Sequence, residues 1–591
     1  MRQLSILPAV VALFLVFASV TNSTPVNRIS PAFDLDKLLV SNRKEAAKST
    51  LCTACKIIVS GLKFLIDQQA PEEVLIDYFS KTCKALEIEQ DHVCDSLPQK
   101  FGKEVFYVVE HGMFTSDEIC GALMSDCGDF VNPLEENWTI PIPGGKPPVK
   151  PWPTSVQPKS TLRVLHLSDI HIDRQYAVGS EADCGEDTYF NLYELCCRNY
   201  PPTKEAKPIK QPAGRWGYAG KCDIPFELFE NAMQHISATE KNLDYIIITG
   251  DMQAHDPWDY TQEKTVSNIA NITATLLHYF PNTPIYQATG NHEGVPQDAF
   301  APHTLPVYDE QGPGWLYDTF ATNWGHWLPT TTLPQIHYRG SYSFNPYPGL
   351  KLISLNSIYC SRWNFYLYLN QTDPDSTLAW VIDELLASEK AGEKVHIFSH
   401  IPGGDPYCLK GWAQNYYEIV NRFENTIAGQ FFGHSHNDQF EVYYENSDPN
   451  GRPTHFNWIT PSITTQEYVQ PSYRIYTIDG NYPGSSWTVL DAETYATNVT
   501  DANIKGTDPV WTLEYNTRQA FGMPDLSPAS WNDLIKRFQT DDALFRKWLV
   551  YYNRDYYNID TAPCDADCKR GFLCGFKSAK SYQGDHFCSG L

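Results

Sequence analysis

"VLHLSDIHID" occupies residues 164–173. The run opens like a strand, then sets Asp169, His171 and Asp173 in quick succession. A strand that ends in carboxylate and imidazole is either running into a solvated loop or presenting half of a metal site. The rest of the chain decides between them. Strand candidates lie at 162–168, 244–249, 284–288, 351–356, 394–399 and 428–432, with helices at 226–240 and 376–390 among them. In the second helix Leu378, Val381, Ile382, Leu385 and Leu386 form one apolar stripe. Strands alternating with helices predict an α/β fold. Further strand-like runs near 456–477, without helices, predict that the sheet is mixed.

The strand ends share a chemistry. Strand 162–168 leads to Asp169 and His171, and 244–249 to Gly250-Asp251. Strand 284–288 leads to Gly290-Asn291-His292-Glu293, 394–399 to His400, and 428–432 to Gly433-His434-Ser435-His436. In α/β sheets, sites form outside the carboxyl ends of strands. One such end is noise; this succession predicts a shared metal site. Glycine at 250, 290 and 433 suits close backbone approach. Carboxylate and imidazole ligands without thiolate suit Zn²⁺, Mn²⁺ or Fe. Asp173 gains no such companion.

The chain has 591 residues, 16 cysteines and a formal net charge of −25. Its length predicts several domains. The acidic balance argues against nucleic-acid binding and against electrostatic docking on anionic membranes at neutral pH. Residues 1–23 read as a secretory signal peptide, followed by an N-terminal segment, 24–47. A secretory context makes the cysteines disulfide candidates and the sequons at Asn137, Asn271, Asn370 and Asn498 glycosylation candidates. Residues 132–160 carry eight prolines and read as a semi-rigid linker. Residues 161–477 form the α/β domain. From about 500 the pattern turns helical and aromatic, so 478–591 reads as a C-terminal helical domain.

The set D-x-H … G-D … G-N-H-E … H … G-H-x-H resembles the calcineurin-like dinuclear metallophosphatase family. The resemblance implies a four-layer sandwich of two mixed sheets flanked by helices. It implies one metal held by Asp169, His171, Asp251 and His436, and a second held by Asp251, Asn291, His400 and His434, with Asp251 shared. Such a pair activates water for attack on phosphorus and offsets the charge that develops there. His292 is placed by the resemblance to protonate the leaving oxygen. His255 is a second candidate, for which a supporting or surface role is the alternative.

The cysteines at 52, 55, 83, 94, 120 and 127, with helical patterns between them, resemble a saposin B-type domain over 48–131. Their spacing alone leaves the connectivity open. The segment holds 7 Lys against 14 Asp and Glu, so it should approach anionic lipid only in acid. Saposin domain, linker and metallophosphatase domain, together with "TGDMQAHDPW", "SRWNFYLYLN" and "QFFGHSHNDQFEVYY", resemble the acid sphingomyelinase family. That resemblance implies two zinc ions, hydrolysis of sphingomyelin to ceramide and phosphocholine, saposin-mediated membrane contact, a monomer, and a lysosomal or secreted location. It implies the bridges Cys52–Cys127, Cys55–Cys120, Cys83–Cys94, Cys184–Cys196, Cys197–Cys222, Cys360–Cys408, Cys564–Cys568 and Cys574–Cys588. The rival reading is a related phosphodiesterase acting on nucleotides or other soluble phosphoesters, which lacks the saposin domain.

Overall fold

The computed structural model describes residues 47–85, 89–112, 115–123, 137–153, 158–184, 195–200, 208–554, 564–581 and 584–588. The expected signal peptide and residues 24–46 lie outside these. The expected pairs Cys52–Cys127 and Cys55–Cys120 also rest on residues or side chains outside the described set. The other six expected disulfides are formed.

The chain divides into two compact units. The first is all-helical, with helices Ala47–Asp67, Glu72–Ala85, Asp91–His111 and Ser116–Leu123. Val59, Leu62, Leu75, Phe79, Leu97 and Val105 are buried in it, and Cys83–Cys94 joins its second and third helices. The short segment Asp256–Tyr260 belongs to the same unit. No helix among the described residues is long and apolar enough to cross a membrane.

The second unit holds two six-stranded sheets. The first has the order β12-β11-β10-β1-β2-β3, from β1 (Thr161–Leu167), β2 (Tyr245–Ile248), β3 (Ile285–Gln287), β10 (Ser472–Asp479), β11 (Val489–Ala496) and β12 (Thr512–Asn516). The second has the order β4-β5-β6-β7-β9-β8, from β4 (Tyr342–Tyr347), β5 (Leu350–Leu355), β6 (Lys394–Ser399), β7 (Ile427–Phe432), β8 (Gln439–Tyr444) and β9 (Pro453–Ile459). Both sheets are mixed. β1, β2 and β3 run parallel while β10 is antiparallel to β1; β5, β6, β7 and β9 run parallel while β4 and β8 are antiparallel edges. Every residue of β2 and β7 is buried, as parallel strands covered on both faces require. Aromatic rings fill the space between the sheets: Tyr476 of β10 lies 5.0 Å from Phe431 of β7 and 5.3 Å from Trp458 of β9.

Two expectations change. The α/β domain does not stop at 477, because β11 and β12 extend its first sheet. Most of their side chains are partly or fully exposed, which weakens the apolar signal that marked the other strands. The proline-rich linker is also more than a spacer. Asn415 accepts from the Ile140 N–H at 3.0 Å, and Arg422 and Asn425 donate to the carbonyls of Pro143 and Pro148. Extended backbone without internal partners has thus found them on and just beyond the helix Lys410–Arg422.

Candidate metal centre

The carboxyl ends of β1, β2, β6 and β7 and the turn after β3 converge on one place. Asp169, His171 and His436 form one cluster, and Asp251, His400 and His434 a second, with the candidate ligand atoms of each within 4.8 Å of one another. Asp251 joins them: its Oδ2 lies 3.5 Å from His171 Nε2 and 3.1 Å from His400 Nε2. Asn291 Oδ1 stands 2.9 Å from His400 Nε2 and completes the second group. The structure therefore brings together every ligand read from the strand ends.

Three of these strands, β1, β2 and β7, reach this point through an unusual turn. Asp169, His171, Asp251, His434 and His436 have φ of 50°, 42°, 59°, 73° and 59°. Side chains other than glycine rarely adopt this left-handed region, and its occupants gather at functional sites. The flanking glycines make room. A Cβ on Gly250 would lie 2.5 Å from the Gly290 nitrogen, and one on Gly433 would lie 1.9 Å from Ser168 Oγ.

Supporting groups aim the ligands. His171 Nδ1 donates to the Gln253 carbonyl and His400 Nδ1 to the Thr249 carbonyl, each at 2.6 Å. Both rings thereby turn Nε2 toward the cluster, the orientation usual for metal-bound histidine. The Glu293 carboxylate accepts from the N–H groups of Gly290, Asp251 and Met252 at 2.8, 3.1 and 2.6 Å. Asp298 accepts from Asn291 Nδ2 at 3.2 Å, which leaves Asn291 Oδ1 for the centre.

The arrangement fits a pair of divalent cations. His436 Nε2 faces His171 Nε2 at 3.2 Å, and His434 Nδ1 faces His400 Nε2 at 3.2 Å. Ring nitrogens converge at both places, as they would around bound cations. Burial pulls His171, His434 and His436 well below the usual imidazole range, toward the neutral form that binds metal. Burial pushes the Asp169 carboxyl up to about 7, with His400 opposing it. His400 is pulled down by burial but carried up to about 10 by Asp251 beside it.

Both candidate proton donors stand beside the first cluster. The His255 ring centroid is 4.0 Å from that of His171 and 4.5 Å from that of His292. Burial pulls both imidazoles down. For His255 the carboxylates of Asp223, Asp251 and Glu467, Asp223 foremost, together offset burial and raise it above its ordinary value. For His292 burial prevails over the opposing Asp251 and Asp223 carboxylates, and it falls to about 3; its Nε2 lies 3.0 Å from Gln297 Nε2. Asp173 is structural: it takes two hydrogen bonds from the buried Arg198, at 2.8 and 2.7 Å. The sequon asparagines 137, 271, 370 and 498 are all exposed. Reading the sequence missed Asp223, and nothing local to "KCDIPF" marks it.

The family pattern for calcineurin-like phosphoesterases matches residues 162–438, which contain all the ligands and both histidines. Sphingomyelin phosphodiesterase 2 of Caenorhabditis elegans is 51% identical over 547 residues, 91% of this chain and 88% of its own. The chain belongs to the acid sphingomyelin phosphodiesterase family. The pattern for the acid sphingomyelin phosphodiesterase C-terminal region matches 453–584 and so begins inside the sheets, at β9. The Homo sapiens sphingomyelin phosphodiesterase is 37% identical over 533 residues, 90% of this chain and 81% of its own. A rat protein named cyclic GMP-AMP phosphodiesterase SMPDL3A is 30% identical over 426 residues, 69% of this chain and 87% of its own.

Proposed function

We propose that this chain hydrolyses sphingomyelin to ceramide and phosphocholine, as a monomer with two zinc ions, in a lysosomal or extracellular setting. The observation that carries the reading is the double cluster around Asp251 with a carboxylate-backed histidine, His255, beside it. Bound at that place, the metal pair supplies a nucleophile derived from water and offsets charge on the phosphoryl oxygens. Asp169, His171 and His436 would hold one ion, Asn291, His400 and His434 the other, and Asp251 both.

The chain's own residues supply the proton. Asp223 engages His255 Nδ1 and leaves Nε2 for the leaving oxygen of ceramide. This favours His255 as the donor, with His292 as a neutral neighbour. The helical unit would bring the enzyme to lipid in acid, when its excess carboxylates are protonated.

The test is an assay on sphingomyelin vesicles and on a cyclic dinucleotide, with one preparation, at pH 5 and pH 7. Phosphocholine release that stops with chelator and returns with zinc is the expected result. Turnover of the dinucleotide alone would favour the activity named for the rat relative. Deleting 48–131 should depress vesicle hydrolysis and spare a soluble phosphocholine ester.

A further inference from the structure

Arg554 lies in the C-terminal region, beyond the residues that the metallophosphatase pattern covers. It is only 1% exposed and has φ of 51°. A buried guanidinium is costly unless its donors are satisfied. Here they are satisfied by the loop that carries His436 and by a second loop bonded to it. Nη1 donates to the main-chain carbonyl of His436 at 2.6 Å, and Nη2 to Ser462 Oγ at 3.1 Å. Nε donates to the carbonyl of Gln470.

These acceptors lie on two loops. One follows β7 and carries His434 and His436. The other follows β9 and runs from 460 to 471. The second is itself tied to the end of β1: Ile463 N donates to the Ser168 carbonyl at 3.1 Å and Thr464 N to the Asp169 carbonyl at 3.0 Å. Ser462 N donates to the same His436 carbonyl that Arg554 engages, at 3.2 Å. The neighbouring Tyr552 adds a carbonyl that accepts from Asn437 Nδ2 at 3.2 Å. Residues 552–554 therefore fasten the chain directly after His436 and link it, through one intervening loop, to Asp169.

We infer that Arg554 is a positioning residue for the first metal site, through which the C-terminal region sets how tightly that ion is held. The inference rests on the two-metal reading above. A planar guanidinium with donors on three nitrogens can span three acceptors on two loops; a lysine ammonium is a single point and cannot. His436 stands in a left-handed conformation that its neighbours must hold in place. Loss of the clasp should let the His436 loop relax and weaken the ion bound by Asp169, His171 and His436. The ion bound by Asn291, His400 and His434 should be affected less.

The test uses the full chain loaded with cobalt(II), whose visible absorption reports each site, titrated against a competing chelator. In Arg554→Met, one of two cobalt ions should leave at a chelator concentration at least tenfold lower than in the unaltered protein, and the other at the same concentration. Arg554→Lys should fall between. A lowered melting temperature with both cobalt affinities unchanged would mean a merely structural role and overturn the inference. Should Arg554→Met fail to fold, Asn437→Ala removes only the bond to the Tyr552 carbonyl. A smaller shift of the same ion is then expected, and unaltered cobalt binding overturns the clasp. Fewer than two cobalt ions on the unaltered protein would instead overturn the two-metal reading itself.

Discussion

Asp223 grips His255 twice: its carboxylate accepts the His255 backbone N–H at 2.6 Å and lies 2.9 Å from Nδ1. Thr464 Oγ1 donates to the same carboxylate at 2.9 Å, which fixes it in turn. The pair has the geometry of a proton donor held in one tautomer. Asp223→Asn should lower kcat on sphingomyelin by roughly 10²-fold, within the range for lost acid catalysis. An aryl phosphocholine ester, whose leaving group departs unprotonated, should be nearly unaffected. The carboxylate raises His255, so the acid form persists to higher pH than in a free imidazole. Without it the alkaline limb of the kcat profile should move to lower pH. Equal losses on both esters would count against the assignment.

Asp251 stands between the clusters, so in the two-metal reading proposed above its removal touches both sites. Asp251→Ala should cost roughly 10³-fold or more in turnover. Elemental analysis of the purified variant should show fewer than two metal ions per chain. Full metal content with normal turnover would refute the shared role.

Gly433 precedes the two histidines of the β7 loop, and a Cβ there would also lie 2.7 Å from Asp169 Oδ2. Gly433→Ala therefore overpacks the site without changing a ligand. It should destabilise the chain by about 1–3 kcal/mol and lower its metal content. A thermal melt and a metal assay on the same sample check both.

Glu441 is buried on β8 and its carboxylate accepts from Asn457 Nδ2 at 2.7 Å. Burial pushes its carboxyl from 4.5 up to about 8, with Asn457 opposing. Between those values the folded chain holds a proton that the unfolded chain has released. Stability from this group is therefore present in acid and lost as pH rises through about 8. Glu441→Gln should flatten the fall in melting temperature between pH 5 and pH 8. The same slope in both proteins would show that Glu441 does not drive it.

What the sequence displayed was the part of the site built from short local signals. Asp169-x-His171, Gly250-Asp251 and Gly433-His434-x-His436 each follow an apolar strand at once, so position and chemistry could be read together. Asp223 and Arg554 act across 32 and 118 residues, and only the folded chain shows what they touch. Asp173 sits in the same motif as two ligands yet faces Arg198, because a left-handed turn at His171 redirects the chain. β4 escaped because Pro346 speaks against a strand; it is tolerated on the sheet edge. β11 and β12 escaped because one face stays partly wet. Asp223, which favours His255 over His292 in the reading proposed above, is a neighbour the motif does not contain.

The left-handed ligands carry a thermodynamic consequence. Five non-glycine residues at positive φ cost about 1–2 kcal/mol each. Together that is of the order of a whole domain's net stability, about 5–15 kcal/mol. A cation that binds only the folded arrangement returns free energy to it in proportion to ligand activity. Metal supply and folding yield are then one equilibrium. Where such a cation is scarce, the chain would accumulate as a species with intact sheets and frayed strand ends, open to proteolysis there first.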